Sequence, residues 1–160
     1  MAAPQHPAQH CFGFESDFIG NWRCIPLCVR RKLDLIGLKL KLSHWLELSQ
    51  AQRQQLVDWD DHPEALAQLR AQLLLLTAPL SDGVAQPLPP ATGEPWQTLQ
   101  VVPDDVARAA QARQVALSLE RWQGLSELGR FALCKLARPG HDHHNLGAAF
   151  EELLAPGPDF

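Results

Sequence analysis

The chain has 160 residues, 46% of them hydrophobic, and a formal net charge of -4. That length suits one domain able to bury a real core. The acidic balance advertises no basic face for nucleic acid or an anionic membrane, and the apolar run Leu73 to Leu76 is far too short to span a bilayer.

The first ten residues, MAAPQHPAQH, have no positively charged n-region and no apolar h-region, so they do not read as a secretory signal. They are expected to form a flexible tail. The chain then reads as cytoplasmic, with Cys11, Cys24, Cys28 and Cys134 as free thiols.

Residues 25–56 align without a gap to residues 102–133, an offset of 77. Ten of the 32 positions are identical: Pro26/Pro103, Val29/Val106, Arg31/Arg108, Leu40/Leu117, Leu42/Leu119, Trp45/Trp122, Leu48/Leu125, Ser49/Ser126, Arg53/Arg130 and Leu56/Leu133. Leucine-rich composition alone gives about two or three, so duplication is the better account.

Each copy opens with a Pro suited to the first helical position. Val29, Leu33 and Ile36 share a helix face, and Gly37 suits the left-handed position that ends a helix. LKLKL (38–42) then alternates apolar and polar at strand period. Val115, Leu117 and Leu119 repeat it, so the two segments are candidates to pair as a small ribbon across a pseudo-twofold axis, with helices covering it. A short turn carries each Trp. Ser49 and Ser126 cap the next helix, and Gln52 completes a capping box that Gly129 denies to copy two.

Residues 62–76 read as a helix with Pro63 at its start and Leu66, Leu69, Leu73 and Leu76 on one face. Asp58, Asp60 and Asp61 precede it as an acidic cap. Residues 77–95 are Pro-rich and aperiodic, which reads as a linker. Asn145 caps a last helix with Leu146, Phe150 and Leu153 on its apolar face. The fold expected is mainly α: one helical domain over residues 11–154, built from two helix–extended–helix halves, repeat one (25–76) and repeat two (102–154). A minor two-stranded ribbon and a flexible tail at 155–160 complete it.

The chemistry-bearing groups are few. RPGHDHHN (138–145) holds His141, His143 and His144, which could ligate a metal, but adjacent His143 and His144 diverge and no zinc spacing is present. The competing reading is a solvated turn. Cys24 and Cys28 fall at i and i+4, which allows a thiol site with Cys11 or Cys134, or simply two small core residues. Arg53 and Arg130 match between copies, which favours an internal clamp over an anion site. Trp45 and Trp122 read as core anchors. No nucleophile elbow, phosphate loop or H-E-x-x-H motif occurs, so no enzyme is expected.

The stretch FESDF-x4-RCIP-x2-VR-x-KLD-x2-G-x-KL (14–40), the W-x2-LS-x3-R unit and RPGH-x3-N together resemble the nitrate reductase-associated protein family, over about residues 12 to 154. The family-like positions include Phe14, Glu15, Phe18, Arg23, Cys24, Pro26, Arg30, Asp34, Gly37, Trp45, Arg53, Trp122, Arg130, Arg138, Pro139, Gly140, His141 and Asn145. His143 and His144 fall where the family pattern is looser, which weakens the metal reading. The resemblance implies a cyanobacterial-type accessory or maturation factor that assimilatory nitrate reductase needs for activity. The partner implied is the reductase's catalytic subunit, with no nucleic acid and no membrane, and the factor is a monomer or weak homodimer. No cofactor is expected to be held stably, with transient contact to the molybdenum cofactor at most. The candidate partner-binding residues are Arg138, Gly140, His141 and Asn145, with Arg23 and Arg30. The alternative is a small metal- or thiol-based redox module using the Cys and His clusters.

Overall fold

A proline ring presets φ and needs no hydrogen bond at a helix entrance. Pro26 and Pro103 use this one position earlier than the sequence suggests, as N-caps of α1 (Leu27–Ile36) and α5 (Asp104–Ala112). The computed structural model describes residues 7–16, 23–138 and 145–154. Its elements are mainly helical. The chain divides into two compact units, Met1–Cys11 with Glu15–Thr92 and Phe12–Phe14 with Gly93–Phe160. The boundary at Thr92 falls inside the Pro-rich stretch.

In the first unit, Val29, Leu33 and Ile36 are buried on α1, as their spacing requires. Gly37 ends the helix with φ 70°, its N–H donating to the Leu33 carbonyl at 3.0 Å. The next helices are α2 (Leu42–Glu47), α3 (Gln50–Asp58) and α4 (Pro63–Thr77). The Trp45 segment is thus a helix of six residues rather than a turn. Ser49 and Gln52 form the expected capping box on α3, each satisfying a backbone N–H of the other, at 3.1 and 2.8 Å. α4 begins at Pro63 as predicted, but its cap is His62, whose Nδ1 accepts from the Ala65 N–H at 3.1 Å. The acidic residues do other work, for Asp61 pairs with Arg31 at 2.9 Å. The buried face of α4 is Ala65, Leu69, Leu73 and Thr77. Leu66 and Leu76 stand at its margins, half-buried.

The ribbon exists with a different partner. β1 (Leu38–Lys39) pairs antiparallel with β2 (Gln86–Pro87), Leu38 opposite Pro87 and Lys39 opposite Gln86. The second copy supplies no strand among the described residues, and its α5 ends in a Schellman turn. Val115 N–H reaches back to the Ala110 carbonyl at 2.8 Å and Gln114 N–H to that of Gln111 at 3.1 Å. Gln114 holds φ 58°, the position matched by Gly37 at φ 70° in the first copy.

Residues 78–92 form a strap held against 34–47. Ser81 binds the Glu47 carboxylate and Asp82 accepts from the Ser43 hydroxyl. Gly83 carbonyl meets His44 Nε2 at 2.8 Å. Leu88 N–H donates to the Gly37 carbonyl at 2.8 Å, and Ala91 N–H to that of Asp34 at 2.9 Å.

The second unit centres on α7 (Glu127–Leu136), which packs against the 3-10 turn Pro95–Gln97, α5 and α8 (Leu146–Leu154). α6 (Leu119–Gly124) carries Trp122, wholly buried, with its indole N–H on the Thr98 carbonyl at 2.9 Å. Trp96 meets Phe131 edge to face at 5.1 Å. Ser126 caps α7, donated to by the Gly129 N–H at 3.0 Å. Gly129 gives up the capping-box partner for packing: a Cβ there would stand 3.3 Å from the Leu153 side chain. Glu152 accepts from the N–H groups of Gly13 and Phe14 at 3.0 and 3.1 Å, fixing residues 12–14 on this unit. The helix bounds α2/α6 recur at the offset of 77 found in the sequence.

Candidate functional site

The densest chemistry lies in the first unit. Val29, Lys32 and Ile36 are spaced to face one way, so a lysine sits on the buried stripe of α1. Lys32 is wholly buried. Its ammonium donates to the carbonyls of Leu56, Val57 and Trp59 at 2.8, 3.0 and 2.8 Å. These are the orphan acceptors at the C-terminal end of α3, where a cation also meets the negative end of the helix dipole. Burial outweighs these contacts enough to pull the ammonium from 10.5 down to about 8. Glu15, also wholly buried, accepts from the Leu27 N–H at 2.8 Å and so clamps the entrance of α1.

Cys28 follows Leu27 by one residue and is wholly buried; Cys11 is half-buried, and the two thiols are hydrogen-bonded to each other. The Cys28 thiol donates to Cys11, which holds Cys11 below its usual range, with Lys32 acting the same way and burial and Glu15 opposing. The shared hydrogen bond and burial push Cys28 upward. Cys24 is not on the helix with Cys28, because α1 starts at Leu27. Cys134, in the second unit, is pushed up to about 12 by burial. Among the described residues no group of three or more His, Cys, Asp or Glu is placed to hold a metal ion. His141, His143 and His144 lie outside the described residues.

The matched arginines are carbonyl clamps. Arg53 Nε donates to the Trp45 carbonyl at 2.9 Å and Nη2 to that of Leu46 at 2.8 Å. Arg130 Nε donates to the Trp96 carbonyl at 3.1 Å, and Nη1 to that of Leu125. Both bind carbonyls at helix or turn ends, and the Trp45 carbonyl also accepts from the Leu48 N–H at 3.2 Å. Trp45, like Trp122, is wholly buried. A groove of about 490 Å³ opens in the second unit beside Arg113, Val115, Arg121, Phe150, Glu151 and Leu154. Arg121 is engaged there by the Ala116 and Leu154 carbonyls.

The candidate docking residues fall in both units. Arg23 and Arg30 belong to the first and are exposed, Arg30 with its Nε on the Ile25 carbonyl at 3.0 Å. Arg138 in the second is exposed. Asn145 precedes α8, its carbonyl accepting from the Ala149 N–H at 2.9 Å, the first bond of the helix. Gly140 and His141 lie outside the described residues. Sequence reasoning missed Lys32 and His44, both buried. The signal for Lys32 was its place at i+3 from Val29 and four before Ile36, among apolar neighbours.

The chain matches the family described as "conserved nitrate reductase-associated protein" over residues 11–153, and it belongs to that family. The family's description associates its members with nitrate reductase. No curated protein matches the chain, and no solved structure does. No helix among the described residues is long and apolar enough to cross a membrane.

Proposed function

We propose that this chain is a non-catalytic accessory factor that supports assimilatory nitrate reductase by docking to its catalytic subunit, during assembly or insertion of the molybdenum cofactor. The observation that carries the reading is the family match across nearly the whole chain. Exposed Arg23, Arg30 and Arg138 support it, because a guanidinium offers a planar fork for carboxylates of a partner or a phosphate of a molybdopterin-type cofactor. The contact with cofactor would be transient, and the chain would act as a monomer or weak homodimer.

The test is capture of tagged full-length protein from nitrate-grown cells of its source, with and without molybdate, read by mass spectrometry. The reductase polypeptide is expected in the eluate. Recovery that depends on molybdate places the step at cofactor insertion, and recovery without that dependence places it at assembly. The Arg138→Ala variant is expected to keep its helical circular dichroism and lose the capture. No reductase under gentle cross-linking overturns direct docking, and full capture by Arg138→Ala removes that residue from the surface.

A further inference from the structure

The N-terminal segment is pinned at two points, to the end of α3 and to the start of α1. Gln9 Nε2 donates to the Asp58 carbonyl at 2.6 Å, and Glu15 accepts from the Leu27 N–H at 2.8 Å. Cys11 lies between those pins. Cys28 is the residue after Leu27, and the two thiols share a hydrogen bond. Cys11 is half-buried while Cys28 is wholly buried. The charged groups acting on Cys11 are Lys32 on α1, Glu15 on its own segment and Asp58 on α3.

We propose that Cys11 and Cys28 form an oxidisable dithiol, with Cys11 the accessible attacking thiolate and Cys28 the buried resolving thiol, that exchanges with low-molecular-weight disulfides of the glutathione class. Neither partner choice is arbitrary. An incoming disulfide must reach the sulfur, and of the two residues Cys11 is partly exposed while Cys28 is wholly buried. A thiolate needs a donor, and Cys28 S–H supplies one, as a neighbouring cation also does. The first step forms a bond between Cys11 Sγ and one sulfur of the oxidant, breaks the oxidant's S–S bond and expels one thiolate. In the second step Cys28 gives its proton to solvent base or to that thiolate, and its sulfur attacks Cys11 Sγ. A second thiolate leaves. Two protein thiols are oxidised to one disulfide, and one disulfide is reduced to two small thiols. The protein disulfide then replaces the S–H contact as the link between the N-terminal segment and α1. This inference is independent of the docking reading.

The experiment titrates the reduced full-length protein with oxidised glutathione and maps peptides by mass spectrometry. Trypsin leaves Cys11 alone in its peptide but places Cys24 and Cys28 together in 24–30, so fragmentation must locate the bond. The expected product joins Cys11 to Cys28 with loss of two hydrogens, after transient glutathione on Cys11. Cys28→Ser is expected to trap glutathione on Cys11, and Cys11→Ser to abolish the crosslink. Brief iodoacetamide treatment at neutral pH should label Cys11 at least about tenfold faster than Cys134. A stable mixed disulfide in the unsubstituted protein, a bond through Cys24, or labelling of Cys134 first would overturn the proposal. The peptide map of the unsubstituted protein decides the matter even where a variant does not fold.

Discussion

Replacing Lys32 with Met tests whether the buried ammonium holds the end of α3. Met keeps the apolar stem and volume but donates nothing. The carbonyls of Val57 and Trp59 would lose their donor, while that of Leu56 keeps only the long bond from the Trp59 N–H at 3.4 Å. Each buried acceptor left bare costs about 1–3 kcal/mol, so a loss of roughly 2–4 kcal/mol is expected. At this chain length that is a fall in Tm of about 5–15 °C. Urea unfolding followed by circular dichroism under reducing conditions measures it. The pH dependence gives an independent sign. Lys32 titrates at about 8 in the fold against 10.5 for the free group. Between those values the unfolded chain binds a proton that the folded core has released, so unfolding free energy rises with pH across the window. The rise amounts to about 3 kcal/mol, and as pH falls through 8 that stability is lost. Lys32→Met should flatten the window. A variant as stable as the parent at pH 7, with the same alkaline slope, refutes the reasoning.

Two backbone substitutions are expected to move stability in opposite directions. Gly37→Ala places a Cβ 2.4 Å from the Leu88 carbonyl oxygen at φ 70°, so both strain and overlap act, and a loss of at least about 2 kcal/mol is expected in urea titration. Gln114→Gly relieves a side chain held at φ 58° with exposed surroundings. Part of the relief is offset by the freer unfolded chain, leaving a gain of about 0.5–1 kcal/mol, read as a higher urea midpoint. An unchanged or lower midpoint for Gln114→Gly would show that the turn carries no strain.

Local structure is legible in the sequence where one short stretch holds all the physics. Gly37 at a helix end, Ser49 with Gln52, Ser126 as a cap and Pro63 at a helix start each need only neighbours within four residues. The alternation of LKLKL was legible as extended chain, but its partner was not, because pairing depends on where residues 86–87 return. His62 as a cap was hidden behind three better-known acidic candidates, and Asp61 was already committed to Arg31. Lys32 escaped notice because charge alone suggests solvent; only the meeting of α1 with the end of α3 explains its burial. The thiol contact of Cys11 with Cys28 is likewise a product of packing, and the i, i+4 spacing of Cys24 and Cys28 does not put them on one helix, because α1 starts at Leu27. The candidate docking residues were legible through the family pattern, which names positions without saying how they are arranged.

The strap from Ser81 to Ala91 runs antiparallel to residues 34–47 and is bonded to them along its length. Its length is therefore fixed by its partners. A tether of the same composition would absorb an inserted or deleted residue with little effect. Here one residue added between Gly83 and Leu88 would slide every later N–H away from its acceptor and turn Leu38 toward the wrong neighbour. Substitution of exposed side chains that make none of these bonds, such as Leu88, leaves them alone. Variation in this stretch should thus be freer in letter, outside Ser81, Asp82 and Gly83, than in count.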